Sequence, residues 1–106
     1  MRNPAAQGRP DANHAEVKGW YEELYCSVVD LHGVGFGCPD LLVGLAAHTD
    51  LVEVKTDTGQ LKPSQKRFQA DWRGAKVVVV RTHADVINHV QNVRERASRE
   101  AHHHRT

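Results

Sequence analysis

A chain of 106 residues, 40% hydrophobic and 25% charged, is sized for one core and composed like an ordinary globular protein. No apolar run approaches the ~20 residues that span a bilayer, and MRNPAAQGRP lacks the apolar stretch of a signal peptide, so a cytoplasmic protein without membrane segments is expected. The net charge of +1 hides an asymmetry, because residues 1–60 carry four Lys/Arg against nine Asp/Glu and residues 61–106 carry ten against four. Such halves suit a chain that holds a cation with one part and a polyanion with the other.

The first ten residues, rich in Pro, Gly and Ala, read as a mobile arm. A helix is expected from Asn13, whose side chain can cap the first turn while Glu16 reaches back in a capping box. Val17, Trp20, Tyr21 and Leu24 follow at helical spacing as its buried stripe. Tyr25–His32 (YCSVVDLH) is β-branched and predicts a strand, ended by the glycines of GVGFG. Asp40–Leu45 and Leu51–Lys55 predict a hairpin whose connection is AAHTD, and TDTGQ reads as a loop. A second helix is expected from Pro63 to Arg73, with Gly74 as its stop. The valines of KVVVVR (Lys76–Arg81) predict a strand covered on both faces. Thr82 and Asp85 open a last helix with Val86, Ile87, Val90 and Val93 on its apolar face, and the charged RERASREAHHHRT after Val93 is expected to fray. The order αβββαβα, with no linker and no internal repeat, means one α/β domain. The two cysteines, Cys26 and Cys38, make no disulfide framework and read as reduced thiols.

Alternation in LVEVK turns Val52 and Val54 to the core and Leu51, Glu53 and Lys55 to the opposite face. Asp40 opens the neighbouring strand, and a short shift in register brings it beside Glu53. Two carboxylates side by side repel unless a cation lies between them, and such hard oxygen ligands favour Mg²⁺ or Mn²⁺. Taken singly, Glu-x-Lys on a strand and Pro-Asp at a turn are common surface features. The combination is not.

GFGCPDLLVG…LVEVK resembles the signature of PD-(D/E)XK nucleases, with Pro39-Asp40 and Glu53-Val54-Lys55 filling its two halves. Neighbouring residues narrow the resemblance to the VRR-NUC type, small nucleases of phage and bacteria, over about Asp11 to Gln91. These are Asn13 and Glu16; the G-x-G-x-P-D entry; Leu61, Pro63 and Gln65; Trp72 and Gly74 before the valine strand; and the closing T-x-x-D-V. The resemblance implies a restriction-endonuclease-like αβββαβα core, a mixed sheet flanked by helices. Residues 11–93 would form the nuclease domain between the arm at 1–10 and a charged, His-containing tail at 94–106. Asp40, Glu53 and the Val54 carbonyl would hold Mg²⁺ or Mn²⁺, and Lys55 would orient the attacking water and offset charge in the transition state. Gln65 would face the active site. Two roles compete for Glu16, capping partner and metal-site residue. One departure is Lys62, where relatives carry Ser or Thr as helix cap.

Lys62, Lys66, Arg67 and Arg73 are candidate phosphate contacts, set against a merely solvated helix face. His32 and His48 lack metal-ligand spacing with the cysteines, and His102–His104 read as part of a disordered tail. Cys38 reads as a small packed residue. The resulting expectation is a metal-dependent endonuclease that cuts branched DNA as a homodimer, in the manner of a Holliday-junction resolvase. Flap or fork cleavage, phage DNA processing, and a catalytically silent DNA-binding accessory are the alternatives.

Overall fold

The computed structural model describes residues 13–103, and the arm at 1–10, His104 and the last two residues lie outside them. The chain order is α1 (His14–Glu23), β1 (Ser27–Asp30), β2 (Leu41–Leu45), β3 (His48–Val54), α2 (Pro63–Asp71), β4 (Val78–Val80) and α3 (His83–His103). This is an α/β fold with a four-stranded mixed sheet in the order β1-β2-β3-β4. The first three strands form an antiparallel meander, and β4 returns parallel to β3 through α2.

One face of the sheet carries the core. Leu41, Val43, Val52, Val54 and Val80 meet Val17 and Tyr21 of α1 and Val86, Val90 and Val93 of α3, all buried. Each buried aliphatic side chain contributes ~1.5–3 kcal/mol relative to exposure, so this face dominates the stability. The other face is open at one end, where Val29 and Trp72 remain exposed. At its other end the 33–39 loop and the start of α2 cover it.

Several boundaries differ from the sequence reading, each for a local reason. Asn13 caps nothing with its side chain. Its amide donates instead to the carbonyls of Lys55 and Arg81, at 3.1 and 3.5 Å, and thereby ties the start of α1 to the ends of β3 and β4. Tyr25 belongs to a helix stop, not to β1. With φ at 64° it occupies the left-handed position of a Schellman motif, in which the Tyr25 amide donates to the Glu22 carbonyl and the Cys26 amide to that of Tyr21.

The hairpin connection is two residues, not five. Ala46 and Ala47, at φ 50° and 64°, form the tight turn, and His48, Thr49 and Asp50 pair with Leu45, Gly44 and Val43. Helix α2 stops at Asp71, before Arg73. Gly74 has another job: a Cβ there would lie 2.6 Å from the Trp72 indole nitrogen, so the glycine makes room for that ring. Strand β4 is three residues long and forms the sheet edge. Val78 and Val79 are half-buried, so the cover expected on both faces is incomplete. Helix α3 continues ten residues beyond Val93 where fraying was expected. Arg94 donates to the Leu24 carbonyl and Glu100 pairs with His48 at 2.7 Å, so the charged segment is docked at its polar groups. Its start is as expected: Asp85 accepts from the Arg81 and Thr82 amides, and Thr82 Oγ1 accepts from the Asp85 amide. Among the described residues no helix is long and apolar enough to cross a membrane.

Candidate active site

Continuing the β2–β3 register by one residue sets Asp40 opposite Glu53, on the open face. The strands are held there by the Asp40 amide, which donates to the Val52 carbonyl at 3.0 Å. Asp40 Oδ2 in turn accepts from the Val54 amide at 2.8 Å. Because N–H and C=O of one strand residue point to the same edge, the Val54 carbonyl is turned toward the Asp40 side as well.

Glu53 and Lys55 share this face but are not solvated: they are 1% and 5% exposed. The alternation that turned them away from the core is intact. What buries them is a second cover, made by the 33–39 loop and the first turn of α2. Burying a charge in this way is costly unless it is paired. Lys55 Nζ lies 3.8 Å from Glu53 Oε2, and Gln65 Nε2 donates to the same oxygen at 3.2 Å. Gln65 Oε1 also accepts from the Lys62 amide at 2.8 Å, the return half of a capping box. One side chain thus closes the α2 N-terminus and grips Glu53. The sequence motif predicted Gln65 at the site; its capping job emerges only from the fold.

The cover depends on Gly37. It has φ +76°, and a Cβ would come within 2.2 Å of the Ser64 carbonyl oxygen, so only glycine lets the loop rest on α2. The result is a cavity of about 240 Å³ whose lining includes Asp40, Glu53, Lys55, Lys62, Gln65 and His32. His32 is the residue that sequence spacing missed. It arrives because Asp30 Oδ1 accepts from its amide at 2.9 Å, folding the chain back after β1. Burial raises the Asp30 carboxyl, but the His32 amide and the His14 ring at 3.1 Å outweigh this and hold it below the usual range. Cys38 also lines the cavity. Burial, then the charges of Glu53 and Asp40, push its thiol up, which makes it a poor nucleophile. Cys26 and Cys38 are both free, as expected.

The remaining candidates are more scattered. Glu16 is exposed on the first turn of α1 and does not line the cavity. Lys66, Arg67 and Arg73 are exposed along and just after α2, outside the cavity, and only Lys62 reaches its wall. His48 starts β3, and His102 lies within α3, where a disordered tail was expected.

Among the described residues no three His, Cys, Asp or Glu side chains gather into a metal-binding group. The donor set beside Lys55 is instead two carboxylates and a carbonyl. That set suits Mg²⁺, which keeps several waters and takes only one or two carboxylates from a protein, better than a caged transition metal. The core face holds a second polar arrangement that sequence reading missed entirely. His89 of α3 bridges Asp50 of β3 (2.6 Å from Nε2) and the Tyr21 hydroxyl (2.8 Å from Nδ1). Burial, with smaller effects from Cys26, Asp50 and Asp85, pushes the Tyr21 hydroxyl well above its ordinary range. Each member is a lone polar residue in an otherwise ordinary segment, so no motif signals them. No protein-family model and no curated protein matches this chain.

Proposed function

We propose that this chain is a metal-dependent endonuclease of the VRR-NUC type, with a restriction-endonuclease-like fold, that hydrolyses phosphodiester bonds in branched DNA. The observation that carries the reading is the convergence of Asp40, Glu53, Lys55 and Gln65 on one cavity from three separate elements. A divalent ion held by Asp40, Glu53 and the Val54 carbonyl would polarise the scissile phosphate and lower the pKa of a bound water.

The chain's own residues do the rest. Lys55, buried beside Glu53, brings a positive charge to where negative charge grows on the phosphate oxygens. Gln65 keeps the Glu53 carboxylate oriented, and Asp40 is fixed by the Val54 amide. Lys62 at the rim, with Lys66, Arg67 and Arg73 beyond it, supplies sequence-independent attraction for the DNA backbone. Specificity then comes from the shape of the DNA, and two symmetric cuts across a four-way junction would need a homodimer.

The test is cleavage of labelled four-way junction, flap and plain duplex with Mg²⁺ or Mn²⁺. Cutting is expected on a branched substrate and should fall by ~10²–10³ or more in Glu53→Gln and in Lys55→Gln. Full activity in Lys55→Gln removes the role given to that side chain. Intact substrates under all these conditions leave a DNA-binding accessory, and the enzyme reading fails.

A further inference from the structure

Helix α2 buries none of its residues, yet a large ring stands on it and another just after its end. Phe68 and Trp72, four residues apart, stack with centroids 5.3 Å apart and planes 15° from parallel. Across from them stands Phe36, 93% exposed. Its exposure is built into the backbone. Phe36 has φ +60°, uncommon for an aromatic residue, and sits between Gly35 and Gly37, both also at positive φ. The Gly37–Ser64 approach then locks the loop onto α2. Phe36, Ser64, Arg67, Phe68, Asp71 and Trp72 bound a groove of about 470 Å³, within the ~300–1,000 Å³ range of small-ligand sites. Phe36 and Ser64 also line the carboxylate cavity, so the two recesses share a wall.

We infer that this groove stacks an unpaired nucleobase of the DNA, one that adjoins the phosphate placed in the carboxylate cavity. The inference rests on the nuclease reading for the position of that phosphate. Three features of the groove favour a base over another apolar occupant. Three of its six lining residues are aromatic, and aromatic rings stack on every base. Arg67 on the same rim complements the phosphate that a base carries with it, and Lys62 and Lys66 continue the positive charge along the helix. Asp71 offers an acceptor for an exocyclic amine. A paired base is already stacked within its duplex and unstacking it costs energy, whereas an unpaired base at a branch is available at little cost. The groove therefore selects DNA with at least one unpaired nucleotide beside the bond to be cut.

The experiment measures binding without cleavage, using the full chain in EDTA. The probes are a short single-stranded oligonucleotide, a blunt duplex, and a flapped duplex with 2-aminopurine at the branch. The wild-type protein should quench the 2-aminopurine. Phe36→Ala and Trp72→Ala should each lose quenching and about tenfold in affinity for the single strand and the flap, with duplex affinity changed less than about twofold. Phe36 is exposed and packs against nothing in the core, so its variant retains the fold, which circular dichroism checks. Unchanged single-strand affinity, or equal loss on all three probes, overturns the inference. So does a shift in oligomeric state caused by Phe36→Ala, since the groove would then hold a second copy of the chain. Cleavage with Mg²⁺ is scored separately. Ring-dependent quenching without any cutting sinks the nuclease reading and leaves the stacking site, and cutting without quenching does the reverse.

Discussion

Replacing Asp50 by Ala tests how the sheet is locked onto α3. Asp50 and His89 are both buried, and their contact is short at 2.6 Å. Because the carboxylate accepts from His89 Nε2, the opposite nitrogen is left to accept from the Tyr21 hydroxyl. Removing Asp50 leaves a buried imidazole N–H without its carboxylate acceptor, and a hydrogen bond to a charged group is generally worth ~1.5–3 kcal/mol. The lower end applies, since Asp50 and His89 also line a recess of about 450 Å³ between β4 and α3 from which water can reach the exposed edge. The expected loss is therefore about 2 kcal/mol, or roughly 8 °C in Tm at ~4 °C per kcal/mol for a domain of this size. Urea unfolding followed by circular dichroism measures it. Tyr21→Phe deletes only the outer hydrogen bond and should cost about 1 kcal/mol. The double variant should cost less than the two added together, because the three groups form one network. A loss under about 0.5 kcal/mol in Asp50→Ala, or strict additivity, would refute the account.

Four further outcomes follow from single contacts. Gly37→Ala forces a Cβ against the Ser64 carbonyl at positive φ and should destabilise the domain by at least ~1 kcal/mol, with loss of any DNA cleavage, measured by urea titration and a nuclease assay. Tyr25→Gly relieves the left-handed strain at the end of α1 and should stabilise by about 0.5–1 kcal/mol; a decrease in Tm counts against it. Asp30 has its folded-state pKa held low, so its contribution is present above the unfolded value of ~3.9 and is lost as pH falls through the folded value. Asp30→Asn should accordingly lower stability at neutral pH, flatten the acid limb below about pH 4, and bring the variant and wild-type profiles together at the lowest pH. In a Cys26→Ser background, alkylation of Cys38 by iodoacetamide should be slow at neutral pH, with an inflection above the ordinary thiol value; fast labelling at pH 7 contradicts the burial and charge argument.

What was legible in the residues was local or periodic. The helical spacing of Val17 and Tyr21, the capping pair Thr82 and Asp85, and the valines of β3 and β4 declare their elements because each signal lies within a few residues. The strand period placed Glu53 and Lys55 away from the core, and the element order followed. Boundaries failed where a residue works against its own propensity. Ala46 and Ala47 make a turn that normally asks for Asn-Gly, and Tyr25 fills a position that favours glycine. Five paired residues in β2–β3 and a full Schellman motif outweigh a local cost of ~1–2 kcal/mol per strained residue, and no window of sequence contains that balance. The segment after Val93 reads as polar, yet Glu95, Ala97 and Arg99 are good helix formers that need only the anchors at Leu24 and His48.

By itself, then, the sequence determined the α/β order and the candidate pair of carboxylates with their lysine, because side-chain period and short motifs are properties of adjacent residues. Only the tertiary structure decided that Glu53 and Lys55 are buried, that Gln65 also caps α2, that His32 joins them, and that Glu16 stands apart. It also decided that Asn13 binds two strand ends and that Asp50, His89 and Tyr21 meet in the core. These are pairings across up to 68 residues, fixed by which faces the sheet and helices must bury together. Burial couples distant residues without leaving a mark on the neighbours of either.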